Sequence, residues 1–185
     1  MAVRNVRTIP DPILRMRAKP VKEINDRIVQ LLDDLKETMD IEEGVGIAAP
    51  QVGILKQVFI TFVDDDLIEM INPRIVEQRG SVLFLEGCLS IPDKMGYVRR
   101  PDYVKIEGLD RHGELQVIES TGAQAVVFAH EMDHLNGILF TDKEAVLTPE
   151  EKKRIEEQEK REQLKEKIAE RKNRRKRRYG VKNVT

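Results

Sequence analysis

Ala125-Val126-Val127-Phe128-Ala129-His130-Glu131-Met132-Asp133-His134 is the stretch on which the reading of this chain turns. By propensity alone its first half, rich in Val with a Phe, suits a strand. The pentad His130-Glu131-Met132-Asp133-His134 decides for helix. At ~100° per residue, two histidines four apart stand one turn apart on the same side, where two imidazoles can grip one ion. Glu131 beside them can then act as general base toward water. The spacing predicts a helix over 123–135, ended by Asn136-Gly137.

The pentad holds two of the chain's three histidines. The third, His112, lies in an Asp110-Arg111-His112-Gly113 turn and reads as a solvent-facing loop residue. An ion held by two imidazoles needs a further protein donor. Downstream of His134 there is no histidine, and Asp142 and Glu144 are the acidic candidates before the charged end of the chain. Upstream stands the single cysteine, Cys88, within Glu86-Gly87-Cys88-Leu89-Ser90. A thiolate suits a borderline-soft divalent ion, although a lone cysteine also serves as a small buried apolar residue. These alternatives stay open on spacing alone.

Composition removes several classes. The formal net charge of the 185 residues is −1, so no global field announces a nucleic-acid partner, although 35% of residues are charged against the usual ~25%. One cysteine excludes an internal disulfide. No apolar run approaches the ~20 residues of a membrane span. Met1 to Arg7 is basic with no apolar segment behind it, unlike a secretory signal. The expectation is a cytoplasmic protein with no membrane partner.

Outward from the pentad the chain divides into recognisable pieces. Pro10, Pro12 and Pro20 predict an extended opening segment. Asn25 is a candidate N-cap for a helix over 24–39, with Ile28, Leu31, Leu32, Leu35 and Met39 at helical spacing. A Gly-rich apolar loop spans 44–53. Strand patterns follow at 57–63, 67–71, 74–78, 103–109 and 114–119, with turn signals at Asn72-Pro73, 78–80 and 110–113. Thr148, Pro149 and Glu151 form a capping box that opens a highly charged helix, with Glu156/Lys160 and Glu157/Arg161 as favourable pairs. The block from Arg171 to Arg178 is basic at every position but Asn173. A boundary near Leu147 separates a compact domain, 1–147, from a charged helix and basic tail, 148–185.

Taken in order, Gly44-Val45-Gly46-Ile47-Ala48-Ala49-Pro50-Gln51-Val52-Gly53, then Glu86-Gly87-Cys88-Leu89-Ser90, then the pentad, resemble the peptide deformylases. The likeness extends over most of the first ~145 residues, a domain-sized length. It implies an α+β fold, with antiparallel β-sheets packed around a central helix carrying the HExxH pentad and with N-terminal and C-terminal helices. It implies removal of the formyl group from N-formylmethionine of newly synthesised proteins, releasing formate, and so a formylated nascent polypeptide as partner. Cys88, His130 and His134 match the metal ligands and Glu131 the catalytic acid/base. The Gln51 side chain and the Leu89 backbone N–H match the oxyanion donors, and Gly46 the residue whose backbone approaches substrate. Val45, Phe84, Val126 and Val127 match the methionine pocket, with Arg100 near the substrate side. Fe2+ is the implied native ion, with Zn2+, Ni2+ or Co2+ tolerated. Glu86 is expected to hold the cysteine loop. One departure is Ala129, where the family commonly carries Gln.

Two other readings stand beside this one. The pentad alone supports a zincin-type metallopeptidase, against which the cysteine of Glu86-Gly87-Cys88 argues. The basic block supports an RNA-binding or ribosome-binding end, contacting rRNA and compatible with an enzyme in front of it. For Gly44 and Gly46 the residue type allows either a turn with positive φ or close approach of the backbone to a ligand.

Overall fold

The computed structural model describes residues 2–180, apart from the side chains at 163, 166, 170 and 173–180. Within the basic block, the side chains from 173 to 178 therefore lie outside the described residues. Two compact units, Met1–Ala145 and Val146–Thr185, are taken separately.

The first unit is built from helix α1 (Asp26–Ile41), strands β1 (Gly46–Ala48), β2 (Val58–Val63), β3 (Asp66–Arg79), β4 (Val82–Cys88), β5 (Ile91–Arg100), β6 (Tyr103–Leu109) and β7 (Leu115–Thr121), and helix α2 (Gly122–Leu135). Five strands pair antiparallel in the order β1-β2-β3-β6-β7, and β4 pairs with β5 in a separate hairpin. This mixed α and β architecture with antiparallel sheets is the one expected from the sequence.

Both faces of the larger sheet are covered, and strand periodicity decides which residue serves which face. Ile47, Val58, Ile60 and Ile71 pack with Ile28, Leu31, Leu32, Leu35 and Met39 of α1. Their chain neighbours Ala48, Phe59 and Met70 point the other way, joining Val104 and Ile106 against Ala125, Phe128 and Leu135 of α2. Each such fully buried large side chain contributes about 1.5–3 kcal/mol. A third cluster of Leu14, Ile91, Val98, Leu139 and Phe140 seats the hairpin. Asn25 caps α1 as predicted, its side chain accepting from the Arg27 N–H. The opening segment is pinned by side chains of that helix: the Ala2 N–H donates to Asp34 and the Arg4 N–H to Thr38.

One expectation is corrected and one element is new. Asn72-Pro73 is not a turn between strands; β3 runs through it as one 14-residue strand with a register shift between Ile71 and Arg74. Asn72 takes φ 51°, and its side chain exchanges hydrogen bonds of 2.7 and 2.8 Å with the Val21 backbone. Pro73, which has no N–H, thus falls at a bulge where no ladder bond is required of it. The hairpin β4–β5 was not anticipated at all.

In the second unit, α3 (Pro149–Gly180) starts with the anticipated capping box. The Thr148 N–H donates to Glu151 at 2.8 Å, and the Glu151 N–H donates back to the Thr148 hydroxyl at 3.2 Å. Among the described residues no helix is long and apolar enough to cross a membrane.

Candidate metal centre

His130, Glu131 and His134 lie on the last turns of α2, and Cys88 ends β4 at the two-residue turn Leu89-Ser90. Packing of α2 against the sheet through Phe128 and Leu135 leaves its histidine side toward the hairpin. The Cys88 Sγ lies 3.2 Å from the His134 Nε2, which lies 3.2 Å from the His130 Nε2. All three donor atoms fall within 4.8 Å of one another. Donors of a tetrahedral ion with bonds of ~2.3 Å to sulfur and ~2.0–2.1 Å to nitrogen are spaced roughly 3.3–3.6 Å apart. The residues therefore fit a shared divalent ion in number, type and spacing. Asp142 instead pairs with Arg15, and Glu144 with Lys94; neither joins this group.

The two imidazoles sit in opposite electrostatic environments. Burial lowers the His130 pKa, but hydrogen bonds to Cys88 and Glu86 and the Glu131 charge override it and raise the value to about 10. Burial, then the charges of His130 and Arg100, hold His134 well below the ordinary imidazole value. The buried His134 Nδ1 has no hydrogen-bond partner. Burial raises Glu131 to about 7, against the pull of His130 and Arg100. Glu131 is 2% exposed and its Oε2 is likewise unpartnered.

Gly46 is what lets Glu131 stand there. A Cβ on Gly46 would lie 2.5 Å from the Glu131 Oε1 and 3.0 Å from the Val127 Cγ1. Neither Gly44 nor Gly46 has a positive φ; in this loop that conformation belongs to Glu43 and Gly53. Gly44 makes room for Leu89, whose Cδ1 would be 3.1 Å from an added Cβ. Gln51 sits in a short 3-10 turn, Ala49–Val52. Its Oε1 accepts from the Ala48 N–H at 2.8 Å, which turns its Nε2 toward the Ser90 hydroxyl (3.3 Å) and the Cys88 Sγ (3.7 Å). The opening segment fastens both pieces from behind: the Arg7 N–H donates to the Gln51 carbonyl and the Ile9 N–H to the Ser90 carbonyl. Sequence reasoning passed over Ser90, whose partners come from other elements, and over the opening segment, whose backbone donors carry no residue-type signal.

A cavity of about 540 Å³ opens in front of the donors, lined by Val45, Phe84, Val126 and Val127 together with Gly46, Gln51, Cys88, Leu89, His130 and Glu131. Its rim carries the apolar side chains of Val45, Leu85 and Met95, between 41% and 61% exposed, beside the exposed Glu43, Asp93 and Lys94. Arg100, expected on the substrate side, does not line it. The guanidinium is 2% exposed behind the donors and pairs with both oxygens of Glu86 (2.6 and 2.9 Å) and with Asp133 (2.5 Å), so it is turned inward rather than toward a ligand in the cavity. Glu86 in turn meets the His130 Nδ1 at 2.8 Å. Burial raises the Glu86 pKa, but hydrogen bonds from Arg100 and His130 outweigh that and bring it to about 2. A metal-bound histidine held through its other ring nitrogen has a fixed tautomer and orientation. Ala129, 7% exposed, adds no polar group beside His130. His112 is exposed, as anticipated.

Comparison with known proteins places this arrangement. The family model for polypeptide deformylase matches residues 3–153. The peptide deformylase of Alkaliphilus metalliredigens is 52% identical over 143 residues, covering 77% of this chain and 97% of that protein. That of Acetivibrio thermocellus is 54% identical over 143 residues, covering 77% and 84%. Among solved structures, the Thermotoga maritima peptide deformylase superposes with a TM-score of 0.77 at 37% identity, over 79% of this chain and all of that one. The Legionella pneumophila enzyme superposes with a TM-score of 0.75 at 33% identity, over 99% of this chain and all of that one. With most of its length matched by the family model and half of the matched residues shared with its relatives, the chain belongs to the polypeptide deformylase family, whose members remove the formyl group from N-formylmethionine.

Proposed function

We propose that this chain hydrolyses the formyl group from the N-formylmethionine of new proteins, using Cys88, His130 and His134 to hold one divalent ion. The observation that carries the reading is the convergence of one sulfur and two imidazole nitrogens within 4.8 Å at the wall of an apolar cavity. A formamide is a poor electrophile, and the ion supplies Lewis acidity to water and to the formyl carbonyl. Ferrous iron is the proposed native ion, with Zn2+, Ni2+ or Co2+ as substitutes, since thiolate and imidazole suit several of these.

The chain's own groups do the rest. Glu131 takes a proton from water as it attacks the formyl carbon and returns a proton to the departing amine. The Gln51 Nε2 and the Leu89 backbone N–H donate to the oxygen that gains negative charge, each donor contributing roughly 10²–10³ in turnover. The Gly46 backbone pairs with the substrate, and the methionine side chain enters between Val45, Phe84, Val126 and Val127. This chemistry is assigned to 1–147. The charged segment 148–185 is proposed to guide the enzyme in the cytoplasm to ribosomal RNA through Arg171 to Arg178, by phosphate contacts that weaken with salt.

Formate release from formyl-Met-Ala-Ser by anaerobically prepared protein tests the reading. Stoichiometric formate is expected, with unformylated Met-Ala-Ser left intact. Cleavage of the unformylated peptide without formate would overturn it in favour of a zincin-type metallopeptidase. Truncation after Ala169 should lower ribosome co-sedimentation at low salt and leave turnover of the tripeptide unchanged.

A further inference from the structure

We infer that Lys143 is a positioning residue for the metal centre, acting on His130 through Asp133, Arg100 and Glu86. This rests on the assignment of His130 as a ligand. The chain of contacts is continuous: Lys143 Nζ to Asp133 Oδ1, 2.7 Å; Arg100 to Asp133 Oδ2, 2.5 Å; Arg100 to Glu86, 2.6 and 2.9 Å; Glu86 to His130 Nδ1, 2.8 Å.

Charge count gives Lys143 its role. Glu86, Arg100 and Asp133 are all under 9% exposed. Alone, these three are two carboxylates against one guanidinium. A buried carboxylate without a compensating cation is strongly unfavourable. Lys143, whose side chain is 41% exposed, supplies the second cation from the surface. Asp133 then gives one oxygen to each cation. Arg100 is left with the geometry that grips both oxygens of Glu86, and Glu86 presents its Oε2 to His130.

The backbone around Lys143 is built to hold it there. The residues after the short turn Phe140–Asp142 are clipped to the hairpin: the Ala145 N–H donates to the Tyr97 carbonyl at 2.7 Å, Glu144 bridges Val98, and Lys94 pairs with Glu144 at 2.5 Å. Gly96 leaves the space, since a Cβ there would lie 3.0 Å from the Phe140 ring and 3.2 Å from the Glu144 Cγ. Lys143 therefore spans from a segment fixed on the hairpin that carries Cys88 to the helix that carries both histidines. The lysine end of the pair is exposed and the carboxylate end is buried, so losing it costs stability as well, and the effect on the metal is what separates a positioning role from a structural one.

Lys143→Met and Lys143→Arg test the inference in Co2+-loaded protein. Visible ligand-field absorption and Co2+ affinity by chelator competition are measured together with kcat and KM for formyl-Met-Ala-Ser. Direct partners of metal-bound histidine change affinity by roughly 10–100-fold. Further out, Lys143→Met should weaken Co2+ binding about 10-fold, shift the absorption bands and lower kcat several-fold at unchanged KM, and Lys143→Arg should restore all of these. The absorption reports only folded, loaded protein, so loss of fold does not mimic the effect. Bands, affinity and kcat superimposable on the parent would overturn the inference, as would a loss confined to thermal stability. Failure of the parent itself to bind Co2+ would instead overturn the site assignment.

Discussion

Gly46→Ala isolates the placement of Glu131 from its chemistry. An added Cβ would lie 2.5 Å from the Glu131 Oε1, about 0.9 Å short of the 3.4 Å at which ordinary van der Waals contact begins. Val127, at 3.0 Å, closes the other direction. Both neighbours belong to α2, which cannot retreat because Phe128 and Ala125 are packed on the sheet. The carboxylate must therefore swing by close to 1 Å. A misplacement of that size costs about 10²-fold in rate, and overpacking costs about 1–3 kcal/mol in stability. The ligands are untouched, so metal content should remain at one ion per chain. Steady-state kinetics on formyl-Met-Ala-Ser, metal analysis and thermal unfolding measure the three effects together. A kcat within a few-fold of the parent, with metal retained, would refute the claim that this space positions the base. A raised KM at constant kcat would assign Gly46 to substrate approach alone.

Glu131→Gln keeps the shape and removes the proton acceptor; we expect retained metal and a loss of about 10²–10⁴ in turnover, and activity near the parent's would name another base. Asn72→Ala loses two hydrogen bonds of about 1 kcal/mol each and strains a left-handed backbone by roughly 1–2 kcal/mol; urea unfolding should show about 3–4 kcal/mol in total, with Asn72→Gly sparing the strain share. Burial raises the Asp34 pKa, but hydrogen bonds from Gln30, the Ala2 N–H and Arg4 outweigh it and hold the carboxyl below its ordinary 3.8. Its contribution to stability is thus present above pH 3.8 and lost as pH falls through the lower folded-state value, so Asp34→Asn should flatten the acid limb of the stability profile. A parallel limb in the variant would place the acid sensitivity elsewhere.

The sequence revealed the parts whose chemistry is local. An Asn cap, an apolar stripe and a His pair at helical spacing each act within a few residues, and α1 and α2 formed within two residues of their expected bounds. The hairpin β4–β5 escaped because its strands line the cavity and pack on Leu14, Leu139 and Phe140, so their residues do not alternate cleanly between buried and exposed. Pro92 and Gly96 further disguise β5. Asn72-Pro73 misled for a different reason. The residues that favour a turn also suit a bulge, and the Val21 backbone that selects the bulge is 51 positions away. At the site, the pentad announced itself, whereas the roles of Arg100 and Ser90 depend on partners from other elements. Gly46 was legible as a glycine of a turn or of backbone approaching a ligand, but not as the one that houses Glu131.

The central claim is that Cys88, His130 and His134 together hold one catalytic divalent ion. Its most direct test is Co2+ titration of the metal-free protein and of Cys88→Ala, following the thiolate-to-cobalt charge-transfer absorption alongside formate release. The parent should saturate at one ion per chain, with charge-transfer absorption and activity rising together, and Cys88→Ala should show neither. A variant that binds Co2+ with the parent's affinity and still releases formate would contradict the account.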